Sequence, residues 1–153
     1  MKVEHLNPFV NAALDTMRTM LGIEARRGPL SIKSVNTTNT DLTAIIGLSG
    51  KLRGSIVLTF DEGVAEKLVQ KFLGSTSRLS QAEICDGIGE LCNIVGGSAK
   101  VELNKLGLNL SISIPNVIIG KGLQIANNPS YPTLVVPFDS MLGHFCVEVC
   151  LME

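Results

Sequence analysis

Between residues 86 and 93, three polar side chains recur at helical spacing: Asp86, Glu90 and Asn93. Steps of four and then three place them on one face of a helix. Two kinds of chemistry suit such a set. A carboxamide both donates and accepts hydrogen bonds, so Asn93 offers contacts of both kinds to another molecule. The carboxylates of Asp86 and Glu90 could instead act as an acid/base pair or contribute to a cation site. No third clustered acid and no histidine ligand accompanies them, which disfavours the second option. Like charges at this spacing cost a helix roughly a few tenths of a kcal/mol.

Four glycines share the segment: Gly87, Gly89, Gly96 and Gly97. Each costs a helix ~1 kcal/mol relative to alanine, so a helix selected for stability alone would not collect them. Glycine lowers a helix surface, and another backbone can then approach closely. Two explanations compete. The glycines serve helix packing inside the domain and the acids form a solvated face, or the low surface receives another molecule.

The stretch Asp86-Gly87-Ile88-Gly89-Glu90-Leu91-Cys92-Asn93 has the form D-x-x-x-E-x-x-N and runs on through Ile94-Val95-Gly96-Gly97-Ser98-Ala99-Lys100. A proline follows at Pro115, with 21 residues between it and Asn93. This pattern resembles the active-site signature of the CheC/CheX/FliY family of chemotaxis phosphatases, with one intervening residue fewer. The match is specific over about residues 80–115, and the coarse pattern is compatible with nearly the whole chain. Two-site members repeat the signature in the first helix. The comparable positions here are Asn7, Asn11 and Leu14, which lack both the acid and the amide. The chain therefore resembles the single-site branch, CheX.

The resemblance implies a substrate and a division of labour. The substrate would be a CheY-like response regulator carrying an aspartyl phosphate, and the regulator would supply Mg²⁺ and a lysine. Asn93 would orient the attacking water, and Glu90 would pair with the regulator's lysine. Gly89, Gly97 and Pro115 would contact the substrate protein, Asp86 would contact it too or else stabilise the N-terminal half of the helix, and the chain itself would bind no metal or cofactor. The resemblance also implies a homodimer joined through β-sheet edges. The competing function is a non-catalytic binding module, related to CheC and to FliM of the flagellar switch, that docks a regulator or a larger assembly.

The elements that must hold these residues can be read along the chain. Leu6, Phe9, Val10, Ala13, Leu14, Met17, Met20 and Leu21 predict an amphipathic helix over about 5–22. Arg27-Gly28-Pro29 breaks the chain. Strands are predicted at Leu30–Val35, Leu42–Leu48 and Gly54–Phe60, the last two joined by a Ser49-Gly50-Lys51 turn. Asp61 is placed to cap a helix over Glu62–Phe72. Ser80-Gln81-Ala82-Glu83 is a capping box that opens a long helix ending before Gly107. Its inward stripe is Ile84, Ile88, Leu91, Cys92, Val95 and Ala99. Strands follow at Asn109–Ile114, Asn116–Ile119, Pro132–Phe138 and His144–Met152. Pro137 cannot donate to a ladder, which predicts an edge or a bulge there. The long apolar final strand reads as an edge that needs a partner. The class is α+β, an antiparallel sheet with packed helices, built from two halves that look like distant copies of one unit.

Composition narrows the alternatives. The 153 residues make one domain, 45% hydrophobic and 18% charged, so the chain is not disordered. A net charge of −1 argues against a nucleic-acid binder working through phosphate neutralisation. Aromatic residues are 4%, with no Trp and one Tyr, too few for a base-stacking platform. No apolar run suggests membrane insertion, and residues 1–9 lack the apolar stretch of a signal peptide, so a cytoplasmic location is expected. Cys85 and Cys92 lie ~10.5 Å apart along one helix, and Cys146 and Cys150 ~13 Å apart along one strand. Neither pair meets disulfide geometry. They read as reduced, small apolar residues. His5, placed before the first helix, and His144 give no sign of a catalytic pairing.

Overall fold

Three helices cover one face of an antiparallel sheet in the computed structural model, which describes residues 2–34 and 39–153. The elements in chain order are α1 (Val3–Leu21), β1 (Ala25–Arg27), β2 (Ser31–Ile32), β3 (Leu42–Ser49), β4 (Arg53–Phe60), α2 (Glu62–Leu73) and α3 (Gln81–Lys105). They continue as β5 (Ser111–Ile112), β6 (Asn116–Ile119), β7 (Thr133–Ser140) and β8 (Gly143–Met152). The N-terminal helix begins earlier than its pattern predicts, so His5 lies inside α1, where it is buried. Met20, at the rim of the predicted apolar stripe, is exposed. The predicted strand at 30–35 shrinks to β2, its last residue lying outside the described residues, and β1 precedes it. The strand predicted at 109–114 is reduced to two residues.

The sheet order is β1-β7-β8-β4-β3-β5, with β2 also on β7 and β6 also on β3. This order reads the same from either end once the two halves are exchanged. The short strands after α1 pair with the β7 of the second half, and the short strands after α3 pair with the β3 of the first. The two long C-terminal strands of the halves, β4 and β8, lie together at the centre. Sequence identity alone could not establish the duplication. The pairing scheme has that pseudo-twofold symmetry, with α2 as the element lacking a counterpart.

One expectation about edges changes accordingly, and the other resolves to its second alternative, the bulge. The final strand is no edge: β8 pairs along its length with β7 on one side and β4 on the other. Its alternation does hold, since Phe145, Val147, Val149 and Leu151 all face the helices in the core. Pro137 sits in an interior strand opposite a bulge. Between the pairs Arg27↔Phe138 and Ser31↔Val135, three residues of one strand face two of the other. Pro137 accepts from Gly28 N–H there at 2.8 Å. The nitrogen and oxygen of one extended residue point to the same side, so the missing N–H of Pro137 falls where the ladder is already interrupted.

The capping box at α3 is present in full. Ser80 Oγ accepts from Glu83 N–H at 3.2 Å, and Glu83 Oε1 accepts from Ser80 N–H at 3.1 Å. Asp61 is the N-cap of α2 but makes no side-chain cap bond; Asp41 Oδ2 accepts from Glu62 N–H instead. The backbone N–H of Ser80 holds the Glu83 carboxyl below its ordinary range. A lowered folded value means that this contribution is complete above the unfolded value and is lost as pH falls through the folded one. Glu83→Gln keeps an acceptor but removes the titration. Urea midpoints taken from neutral pH down to about pH 3 should fall less steeply for Glu83→Gln than for the parent. Parallel curves would show that the cap does not contribute to acid lability.

Candidate functional site

The capping box fixes where α3 begins, and so fixes the helical phase of everything after it. The predicted inward stripe is buried as expected, from Ile84 through Ile88, Leu91, Cys92 and Val95 to Ala99. Burying that stripe turns the opposite face outward. Asp86, Glu90 and Asn93 are all exposed and stand together on it. They form one wall of an open groove of about 530 Å³, with Gly89 between them. The other wall is Ile114, Pro115 and Val117, from the link between β5 and β6 and the start of β6. Pro115, distant in sequence, is thereby brought opposite the acids and the amide.

The trio is chemically uncommitted within the chain. Hydrogen bonding on α3 is used elsewhere: in the cap, in Asn104 Oδ1 accepting from Leu110 N–H at 2.7 Å, and in the Lys105–Glu102 pair at 2.8 Å. Among the described residues, Asp86, Glu90 and Asn93 have no side-chain partner. Exposed polar groups without internal bonds can meet a partner with no internal contact to break first.

The four glycines separate into two kinds. A Cβ on Gly87 would lie 2.3 Å from Val69 Cγ1 of α2, and one on Gly96 would lie 3.1 Å from Ile46 Cδ1 of β3. Those two serve internal packing. A Cβ on Gly89 would meet only Val117 Cγ2, at 3.7 Å, and one on Gly97 would meet nothing within 4 Å. Gly89 and Gly97 lie one turn before and one turn after Asn93, on its own face. Internal packing explains half of the helix's glycines and leaves the pair that brackets the amide.

Three groove residues escaped the sequence reading: Cys85, Ile114 and Val117. The Cys85 thiol is pushed up by burial and by the carboxylates of Asp86 and Glu62. Nothing in the sequence marked Ile114, since an apolar residue at a strand end is ordinary there.

A second groove, of about 590 Å³, lies between the first and third helices, where Asn11, Leu14, Asp15 and Arg18 of α1 face Ser98 and Glu102 of α3. Its volume exceeds that of the α3 groove, but Leu14 occupies the position equivalent to Asn93. Arg18 there is tied to Glu24 at 3.1 Å and to Asp15 at 3.5 Å. That groove has neither the amide at the reacting position nor the free acid beside it. Among the described residues no helix is long and apolar enough to cross a membrane, and no group of three or more His, Cys, Asp or Glu is placed to hold a metal ion. All four cysteines are free thiols.

Residues 42–139 match the family model of chemotaxis phosphatase CheX. The curated CheY-P phosphatase CheX of Thermotoga maritima is 31% identical over 121 residues, 78% of each chain. The crystal structure of chemotaxis protein CheX from Desulfovibrio desulfuricans superposes with a TM-score of 0.89 at 32% identity, covering 97% of this chain and 99% of that one. The same fold is found in the Borrelia burgdorferi CheX-CheY-BeF3-Mg complex, with a TM-score of 0.84 at 24% identity over 99% of this chain and 100% of that chain. The chain therefore belongs to the CheX family of chemotaxis phosphatases.

Proposed function

We propose that this chain hydrolyses the aspartyl phosphate of a CheY-like response regulator, with Asn93 orienting the water and Glu90 fixing the register of the complex. The observation that supports this reading is the outward trio on α3, free of internal partners and bracketed by Gly89 and Gly97. The substrate class follows from the activity of the Thermotoga maritima relative, a CheY-P phosphatase. Phosphoryl transfer to water needs an in-line nucleophile and compensation of charge more than covalent assistance. The regulator's own Mg²⁺ and lysine provide the compensation. The Asn93 amide accepts a hydrogen bond from the water and leaves an oxygen lone pair directed at phosphorus. The new bond joins water oxygen to phosphorus. The bond from phosphorus to the aspartyl oxygen breaks, the aspartate returns as carboxylate, and the water's proton leaves with inorganic phosphate or solvent.

Glu90, one turn before Asn93, pairs with the regulator's lysine. A charge-assisted bond sets geometry as well as affinity. Asp86 adds a second negative charge at the rim and contacts the partner there. Glu90→Ala relieves the Asp86–Glu90 repulsion, so folding is kept or slightly improved. The expected result is a loss of about tenfold or more in affinity for the regulator, together with slower turnover. Titration calorimetry beside a phosphate-release assay checks both. Unchanged affinity would leave Glu90 without its role. The whole reading is tested by adding the purified chain to phosphorylated regulator: accelerated phosphate release is expected, whereas a binding module leaves the phosphate lifetime unaltered or longer.

A further inference from the structure

The wall of the groove opposite Asn93 is a β-bulge. Between Leu48↔Ile112 and Ile45↔Asn116, the two residues Ile46 and Gly47 of β3 face three, Ser113, Ile114 and Pro115. The first half repeats the feature at Gly28–Leu30 against β7, and Gly28 N–H bonds Pro137 O just as Ser113 N–H bonds Gly47 O. The bulge therefore belongs to the duplicated architecture, and its presence alone implies no function. What differs is the residue at its apex. Pro29 stands there in the first half and Ile114 in the second.

Ile114 is 85% exposed. Nothing inside the chain requires an isoleucine at that point, and water makes it unfavourable. The turn beneath it is rigid. Ser113 N–H donates to Gly47 O at 2.9 Å, Gly47 N–H donates to Ser113 Oγ at 2.8 Å, and Ser113 Oγ donates to Ile114 O at 3.2 Å. Pro115 fixes the backbone on the other side. A bulge re-aims a side chain, and this one holds an isoleucine over the same groove that Glu90 and Asn93 line.

We infer that Ile114 is an apolar anchor for the phosphorylated regulator, held ready on the bulge so that docking buries it as Asn93 enters the phosphate pocket. The inference rests on the reading of the preceding subsection. The occupant it names is a hydrophobic patch on the regulator beside its phospho-aspartate. Any body that takes in the amide of Asn93 must cover the facing wall of the groove. Anchors of this kind sit next to polar contacts, which set geometry while the apolar group supplies affinity. Ile114 touches no reacting atom, so it is assigned to binding and not to the chemical step.

The test separates KM from kcat, using the phosphorylated regulator of the same cell. Ile114→Ala should raise KM by about tenfold, with kcat at saturation within about twofold of the parent. Ile114→Asp should raise KM further, and Ile114→Leu should restore it. Because the side chain is exposed, none of these variants should disturb folding. Calorimetric binding of the regulator charged with beryllium fluoride and Mg²⁺ should follow the same order. Unchanged KM and affinity in Ile114→Asp, with an active parent, overturn the anchor and leave the phosphatase reading standing. The same holds if Ile114→Asp alters only self-association on sedimentation, which would make a second copy of this chain the occupant. A parent that binds the charged regulator through Ile114 without speeding phosphate release overturns the catalytic reading and keeps the anchor. A parent that neither binds nor turns over the regulator removes both.

Discussion

Replacing Asn93 by alanine should reduce the acceleration of regulator dephosphorylation by ~100-fold or more while leaving the protein folded. The size follows from removing one preorganised hydrogen-bonding group at a transition state, which costs ~100-fold or more in rate. Asn93 is exposed and, among the described residues, has no side-chain hydrogen bond for its removal to break. Alanine is also the better helix former, by up to ~0.7 kcal/mol. Activity and stability must then move in opposite directions. The rate should collapse through kcat, because the groups assigned to affinity, Glu90 and Ile114, remain. Single-turnover phosphate release, paired with a urea melt of the same preparation, reads both quantities. A variant that keeps full activity would dismiss Asn93 as the water-orienting residue. A variant whose melt collapses along with its rate would assign the side chain to structure.

The placing of the outward trio was legible in the sequence because its three residues lie on one uninterrupted helix. Within α3 the spacing of Asp86, Glu90 and Asn93 converts directly into three dimensions, and the Ser80–Glu83 box marks where counting begins. The apolar stripe was legible for the same reason: all six residues it lists are buried, with Gly87, Gly96 and Leu103 buried beside them. What the sequence hid was non-local. Whether β8 is an edge or a centre depends on which strands lie beside it, and its alternation is the same in either case. The duplication was visible as an order of elements but not as identity. It becomes clear in the exchange of short strands, β1 and β2 onto β7 and β5 and β6 onto β3. Pro137 was read correctly as a break in pairing, yet the break lies in the neighbouring strands and not at the rim of the sheet. Ile114 was hidden because an apolar residue at a strand end is ordinary in sequence. Only the register, three residues against two, shows that it is thrust outward.

The glycines of α3 give a sharper test than the acids, because the two accounts of them require opposite behaviour at neighbouring positions. If all four existed for internal packing, enlarging any of them would destabilise the fold. Gly87 meets that description: a Cβ there would lie 2.3 Å from Val69, and overpacking of this kind costs about 1–3 kcal/mol against ~1 kcal/mol gained in helix propensity. Gly97 does not, since a Cβ there meets nothing within 4 Å. Gly97→Leu should therefore stabilise α3 by roughly the propensity difference of ~1 kcal/mol. Yet its side chain would project one turn from Asn93, on the face the regulator must approach. Holding the partner off by even about an ångström misplaces the water and the phosphorus, and misplacement on that scale costs about 100-fold. A more stable but nearly inactive Gly97→Leu, beside a Gly87→Leu that melts at lower temperature than the parent, is the expected pair of results. Thermal melts and phosphate release measured on both variants give the comparison. A fully active Gly97→Leu would mean that the regulator never closes over that turn, and with it would go the reason for a bare helix surface around the amide.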